Sequence, residues 1–199
     1  MLALMLATAA HAQEGFAIDT ISDALMQRMQ GRSMPEGCTV SRHELRHITL
    51  LHYDLEGHVQ KGELVCNRRI AADLLSIFRQ LYQQRYPIGS VRLIDDFDAD
   101  DERSMQANNT SCFCFRTVAG SAKLSKHAQG MAIDINPLFN PCVKGRRVQP
   151  ANGTPYVDRR KAFKCKITTN DLCYRLFVAH GFRWGGAWNS LKDYQHFEK

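Results

Sequence analysis

The sequence predicts an α+β fold, a central and mainly antiparallel sheet flanked by helices. Residues 45–54 and 58–66 are strand-like runs on either side of Asp54-Leu55-Glu56-Gly57, which reads as a β-hairpin. Between 67 and 86, Ile70, Leu74, Leu75, Phe78, Leu81 and Tyr82 recur at helical spacing and make one buried stripe. Short alternating runs at 131–135 and 195–198 add strands far from the hairpin in sequence.

Taken in order, Met1 to Gln13 is apolar and ends in Ala10-His11-Ala12, which reads as the end of a secretory signal without its positive start. We therefore expect residues 1–12 to be a signal peptide and 13–199 to form a single domain, exported to the periplasm or cell envelope. A length of 199 residues suits one full core. Residues 19–30 read as an amphipathic helix (Ile21, Leu25, Met26, Met29) ended by Gly31. Ser33 to Gly37 is a loop. Asn67 is placed to cap the long helix, and Pro87 stops it. Ser90 to Ile94 reads as a short buried strand. The acidic run Asp95 to Glu102 lacks the placed Gly and Glu of a calcium loop and reads as a solvated loop. Residues 137–168, rich in Gly, Pro and basic residues, read as a surface excursion beside a cleft, a mobile lid. Thr169 opens a last helix with Leu172, Leu176 and Phe177 inward and Gly181 at its end. Strands at 182–184 and 195–198 close the chain.

The net charge of +6 is dispersed, without an Arg/Lys stripe. It suits an acidic polymer such as a cell wall and gives no reason to expect nucleic acid. No apolar run approaches the ~20 residues that a membrane span needs. Seven cysteines in an exported chain suggest one to three disulfides with a thiol left over. Cys38–Cys66, and Cys165–Cys173 or Cys142–Cys165, are the candidate pairs, while Cys112 and Cys114 are too close for an easy bridge. The cysteine spacing fits no zinc ribbon or finger.

The chemistry concentrates in Ser125-Lys126-His127-Ala128-Gln129-Gly130-Met131-Ala132-Ile133-Asp134-Ile135-Asn136-Pro137. Strand interiors disfavour Asp, and Asp134 shares its face with the small or polar Ala132 and Asn136. A metal accounts for such a carboxylate near His127. The partner stretch is Trp184-Gly185-Gly186-Ala187-Trp188 followed by Asp193-Tyr194-Gln195-His196-Phe197-Glu198. His127, Asp134 and His196 make a two-His, one-carboxylate set, suited to a zinc ion that keeps a fourth position for water. Asp193 then stands as general base. Glu198, on the face of His196, is placed to orient that ligand. The Gly-Gly pair allows backbone to approach a ligand, with the flanking Trp residues, Trp184 among them, as pocket wall. A rival is His43-Glu44-Leu45-Arg46-His47, which fits H-E-x-x-H with Glu63 as a third ligand. That motif needs a helix, and the following Ile48 to Tyr53 is strand-like.

Ser-x-His-x-x-Gly-x-Ala-x-Asp followed by Asp-x-x-His resembles the zinc D-Ala-D-Ala carboxypeptidase family, over roughly residues 90–199. The family also holds D-Ala-D-Ala dipeptidases and L-alanyl-D-glutamate endopeptidases, and it is related to lysostaphin-type peptidases and the hedgehog domain. The resemblance implies a hedgehog/D-Ala-D-Ala peptidase-like fold, Zn²⁺ on His127, Asp134 and His196, and Asp193 as base. Many relatives carry Glu at the base position, and Asp is the variant of the endopeptidase-like branch. Arg116 matches the family's substrate-binding Arg, with Arg103 as second candidate and Ser125 in support. Cys114 stands where close relatives have Asn. The implied activity is hydrolysis of peptidoglycan stem peptides by a monomer, foremost as a D-alanyl-D-alanine carboxypeptidase. The alternatives are an L-alanyl-D-glutamate endopeptidase and a non-catalytic hedgehog-like binding module.

Overall fold

The computed structural model describes residues 15–118 and 121–199, so the expected signal segment lies outside the described residues. The first half is built on the hairpin. β1 (Ala17–Asp19) is followed by α1 (Asp23–Met29), β2 (Leu45–Tyr53), β3 (Val59–Asn67) and α2 (Ala71–Gln83). β2 and β3 pair antiparallel along their whole length, with β1 on the other edge of β2. Asp54 sets the turn, its Oδ1 accepting from the amides of Glu56 (3.0 Å) and His58 (2.8 Å). α2 buries Leu74, Leu75, Ile77, Phe78 and Leu81 in the main core. Each such side chain contributes about 1.5–3 kcal/mol on burial.

The second half holds β4 (Ser90–Val91), α3 (Asp101–Gln106), β5 (Asn109–Thr110), β6 (Ala132–Asp134), β7 (Cys142–Lys144) and β8 (Arg147–Gln149). It ends with α4 (Leu172–Ala179), β9 (Arg183–Trp184), β10 (Lys192–Asp193) and β11 (His196–Glu198). β11 lies between β6 and β9, all antiparallel. Phe197 on β11 stacks on Phe177 of α4 at 4.3 Å. That stack joins this sheet to the core shared with α2. No helix among the described residues is long and apolar enough to cross a membrane.

The fold is mixed α and β with mainly antiparallel pairing, as expected, but the strands among the described residues fall into four small sheets instead of one central sheet. The β4–β5 pair is parallel. Several local expectations are corrected. Asn67 is the last residue of β3, and Ile70 occupies the N-cap of α2 without a side-chain bond. The Asn67 amide instead ties the chain to the Gln129 carbonyl at 3.1 Å. α4 starts from Asp171, whose carboxylate accepts from the Cys173 amide, because an Asp there meets the free amides of the first turn better than Thr169.

The acidic run is not a solvated loop. Asp95 is buried and accepts from the Ser33 amide, and Asp100 caps α3. The excursion at 137–168 is a wall, not a lid. Its β7–β8 hairpin is laddered to β10. Arg159 clamps it by donating to the carbonyls of Phe139 and Ile167 and to the Asn140 side chain. All seven cysteines are free. Cys66 belongs to the main core while Cys38 packs on a second cluster around α1, so that expected bridge spans two separate packing units.

Glu63 ties α1 to the hairpin. Its carboxylate accepts from His47 Nε2 at 2.8 Å and from Arg28 Nη2 at 2.7 Å. The His47 bond, with Arg28 adding to it against partial burial, holds the carboxyl down at about 2. A carboxyl with a depressed folded-state pKa stabilises above its unfolded value, near 4.5, and that stability is lost as pH falls toward 2. Glu63→Gln is therefore expected to cost about 1 kcal/mol at pH 7, after allowance for solvent screening, and only a small fraction of that at pH 2. Urea denaturation across this range reads the difference, and equal loss at both ends contradicts it.

Candidate metal centre and cleft

Register assembles the site. His196 on β11 is the direct antiparallel partner of Asp134 on β6, so both side chains rise from one face. His127 reaches them from a 3-10 turn, His127–Gln129, that immediately precedes β6. Ser125 supports this turn by accepting the His127 amide at 3.2 Å. Gly130 ends the turn with φ +64, and a Cβ there would lie 2.6 Å from the Asn67 amide nitrogen. Only glycine meets both the left-handed backbone and that approach, which accounts for the Gly of the motif. Asn136 of the same motif leaves the strand with φ +47. It braces the scaffold instead of sharing the face of Asp134: its Oδ1 accepts from the Gly89 amide and its Nδ2 donates to the Pro87 carbonyl.

Three donor atoms converge. His127 Nε2 and His196 Nδ1 lie 3.2 Å apart, and each faces Asp134 Oδ1, at 3.3 and 3.0 Å. These are the only His/Cys/Asp/Glu side chains among the described residues that gather three potential ligand atoms. A tetrahedron with metal–ligand bonds of ~2.0–2.1 Å has edges of about 3.3–3.4 Å. The spacing and the N,N,O donor set therefore fit a zinc ion. Both rings are also oriented from behind. His127 Nδ1 donates to the Cys112 carbonyl at 2.6 Å, and His196 Nε2 donates to Glu198 at 3.4 Å. Each bond leaves the other ring nitrogen free to bind a metal. Burial works against the ionised Asp134, but the two imidazoles outweigh it and hold this carboxyl well below the usual range. Burial likewise opposes charge on His196, yet Asp134 and Glu198 raise it to about 10. A metal taken up here would have to displace that proton, so its affinity would weaken as pH falls.

Asp193 stands beside the set. Gly185 packs so closely on it that a Cβ would come within 2.7 Å of the Asp193 carbonyl oxygen and 3.2 Å of the His196 Cβ. The first glycine of the Trp-Gly-Gly-Ala-Trp stretch thus fixes Asp193 and His196 against each other. Asp193 Oδ1 is buried without a hydrogen-bond partner in the protein. Burial, reinforced by Asp134 and opposed by His196, pushes its carboxyl up to about 6. A carboxylate in that range accepts a proton readily near neutrality.

These groups line one cleft of about 740 Å³, together with Arg116 and Ser125. Arg116 is half-buried and ion-paired with Asp101, while its Nε has no partner. Sequence reasoning placed Arg116 and missed Asp101, which lay in the acidic run taken for a loop. Trp184 does not line the cleft. It is buried in the core, donates to the Tyr194 carbonyl and packs on Tyr174. Trp188 does line it, with its ring 5.2 Å from that of His196. Arg103 is engaged with Asp98. The rival H-E-x-x-H is not helical: His43 lies in a 3-10 turn and His47 on β2. The Cys112 carbonyl carries no side-chain signal that a sequence could have shown.

A buried His, Asp, His set lining a cleft, with an adjacent carboxylate whose Oδ1 has no partner, defines the class: a candidate hydrolytic metal centre. Residues 119–199 match the family model described as D-alanyl-D-alanine carboxypeptidase, so this part of the chain is similar to that peptidase family. The matched segment contains His127, Asp134, Asp193 and His196, while Asp101 and Arg116 precede it. No curated protein and no solved structure matches the chain.

Proposed function

We propose that this chain is a zinc-dependent D-alanyl-D-alanine carboxypeptidase acting on peptidoglycan stem peptides. In this reading residues 13–199 form one catalytic domain, exported to the periplasm or cell envelope and working as a monomer. The observation that carries the reading is the convergence of His127, Asp134 and His196 at metal-ligand spacing beside Asp193, whose Oδ1 is buried without a partner. A zinc ion held by the three would supply a water activated near neutral pH and a Lewis acid for the scissile carbonyl. Asp193 takes the proton from the attacking water and passes it to the leaving amine. Arg116, held by Asp101 but with its Nε–H free, grips the substrate carboxylate. Ser125 accepts from the His127 amide and keeps its own hydroxyl proton to donate to substrate.

A second reading, L-alanyl-D-glutamate endopeptidase, is favoured by one observation: the pairing of Arg116 with Asp101 leaves it fewer donors for a C-terminal carboxylate. The resemblance adds that Asp at position 193 is the variant of that branch. Mass spectrometry of defined pentapeptide muropeptides, with and without chelator, separates the outcomes. Chelator-sensitive loss of one alanine is expected. Chelator-sensitive cleavage between L-Ala and D-Glu would move the chain to the second reading. Bound zinc without cleavage would contradict both and leave a binding module.

A further inference from the structure

The β7–β8 hairpin that walls the cleft carries Lys144, Arg146 and Arg147 around the Gly145 turn. Lys144 and Arg147 are direct cross-strand partners. Like charges in opposed positions repel and destabilise a hairpin, so this pairing works against the fold of the wall it stands on. Both residues are exposed and line the cleft. Neither forms an ion pair among the described residues, and the acidic side chains of the cleft are otherwise committed. Asp101 is held by Arg116, Glu198 by Arg183 and His196, and Asp134 by the two imidazoles. Asp193 is enclosed beside the metal ligands. Lys123 adds to the same cleft a further cation without an acidic partner among the described residues.

An opposed Lys–Arg pair with no anion of its own, facing a cleft, is the arrangement that an anionic ligand would relieve. We propose that Lys144 and Arg147, aided by Lys123, form a second carboxylate subsite, so that the preferred substrate is an acidic peptide with a carboxylate beyond the one taken by Arg116. This rests on the peptidase reading and adds to it a specificity-determining wall, carried by a hairpin outside the metal motifs. Planar guanidinium and mobile ammonium together suit a carboxylate that enters from solvent.

The test uses two stem pentapeptides that differ only in the α-carboxylate of D-glutamate, free in one and amidated in the other. Calorimetry on zinc-loaded Asp193→Asn protein, whose turnover is strongly slowed, reads binding. The free acid is expected to bind about tenfold tighter, as one charge-assisted contact would give. In Lys144→Gln/Arg147→Gln that preference should shrink to within about twofold, with affinity for the amidated peptide kept. Lys61→Gln/Arg175→Gln, which removes the same net charge away from the cleft, should retain it. Equal binding of the two peptides, absence of binding, a preference that survives in the hairpin variant, or one lost equally in the control would overturn the proposal. Wild-type turnover is measured separately. Failure to cleave either peptide counts against the peptidase reading, whereas the binding preference decides the subsite.

Discussion

Asp193→Asn is expected to retain its zinc and to lose about 10²–10⁴-fold in kcat, the usual contribution of a positioned general base. The substitution conserves volume, so the close contact with Gly185 survives. Asp193 is not one of the three converging donors, which is why the metal should remain. The variant should also unfold at the same or a higher temperature. Asp193 Oδ1 is buried without a partner, and replacing a desolvated carboxyl by a neutral amide removes a cost instead of a bond. Lower turnover with unchanged metal content and undiminished thermal stability is a combination that a merely structural residue would not give. Full activity in the variant would remove Asp193 from the mechanism.

His127→Ala is expected to lose both metal and turnover. It deletes one of three donors and also leaves the Cys112 carbonyl without the imidazole that faces it. Glu198→Gln, which only weakens the bond behind His196, should cost about 10–100-fold in metal affinity. The ligand deletion should cost more than that. His43→Ala should change neither quantity, because His43 is exposed on its 3-10 turn and outside the converging set. Elemental analysis of the purified variants decides between the two metal motifs. Zinc retained in His127→Ala and lost in His43→Ala would reverse the assignment.

The convergence of His127, Asp134 and His196 was legible because these residues break local rules. An Asp in an apolar strand and a Gly at a fixed step from His each need a structural cause, and the β6–β11 register and the +64 φ of Gly130 supply it. The hairpin of β2 and β3 and the stripe of α2 were legible because periodicity alone specifies them. What was missed depends on contacts between distant segments. The role of Asp101 arises only when α3 is set beside Arg116. Trp184 and Trp188 flank the same short segment, and the turn between them, not residue type, sends one to the core and the other to the cleft. The β7–β8 hairpin carried its signal in Val143-Lys144-Gly145-Arg146-Arg147-Val148, two valines about a glycine turn. The surrounding Pro, Gly and basic residues masked it. One central sheet was expected because strand runs can be counted from a sequence while their partition into sheets cannot.

X-ray absorption at the zinc edge of the loaded protein tests the central claim most directly, that His127, Asp134 and His196 form one metal centre. The account predicts nitrogen and oxygen neighbours at about 2.0–2.2 Å, two imidazole rings per zinc and no sulfur. A sulfur shell near ~2.3 Å, from any of the seven free thiols, or a single imidazole would contradict it.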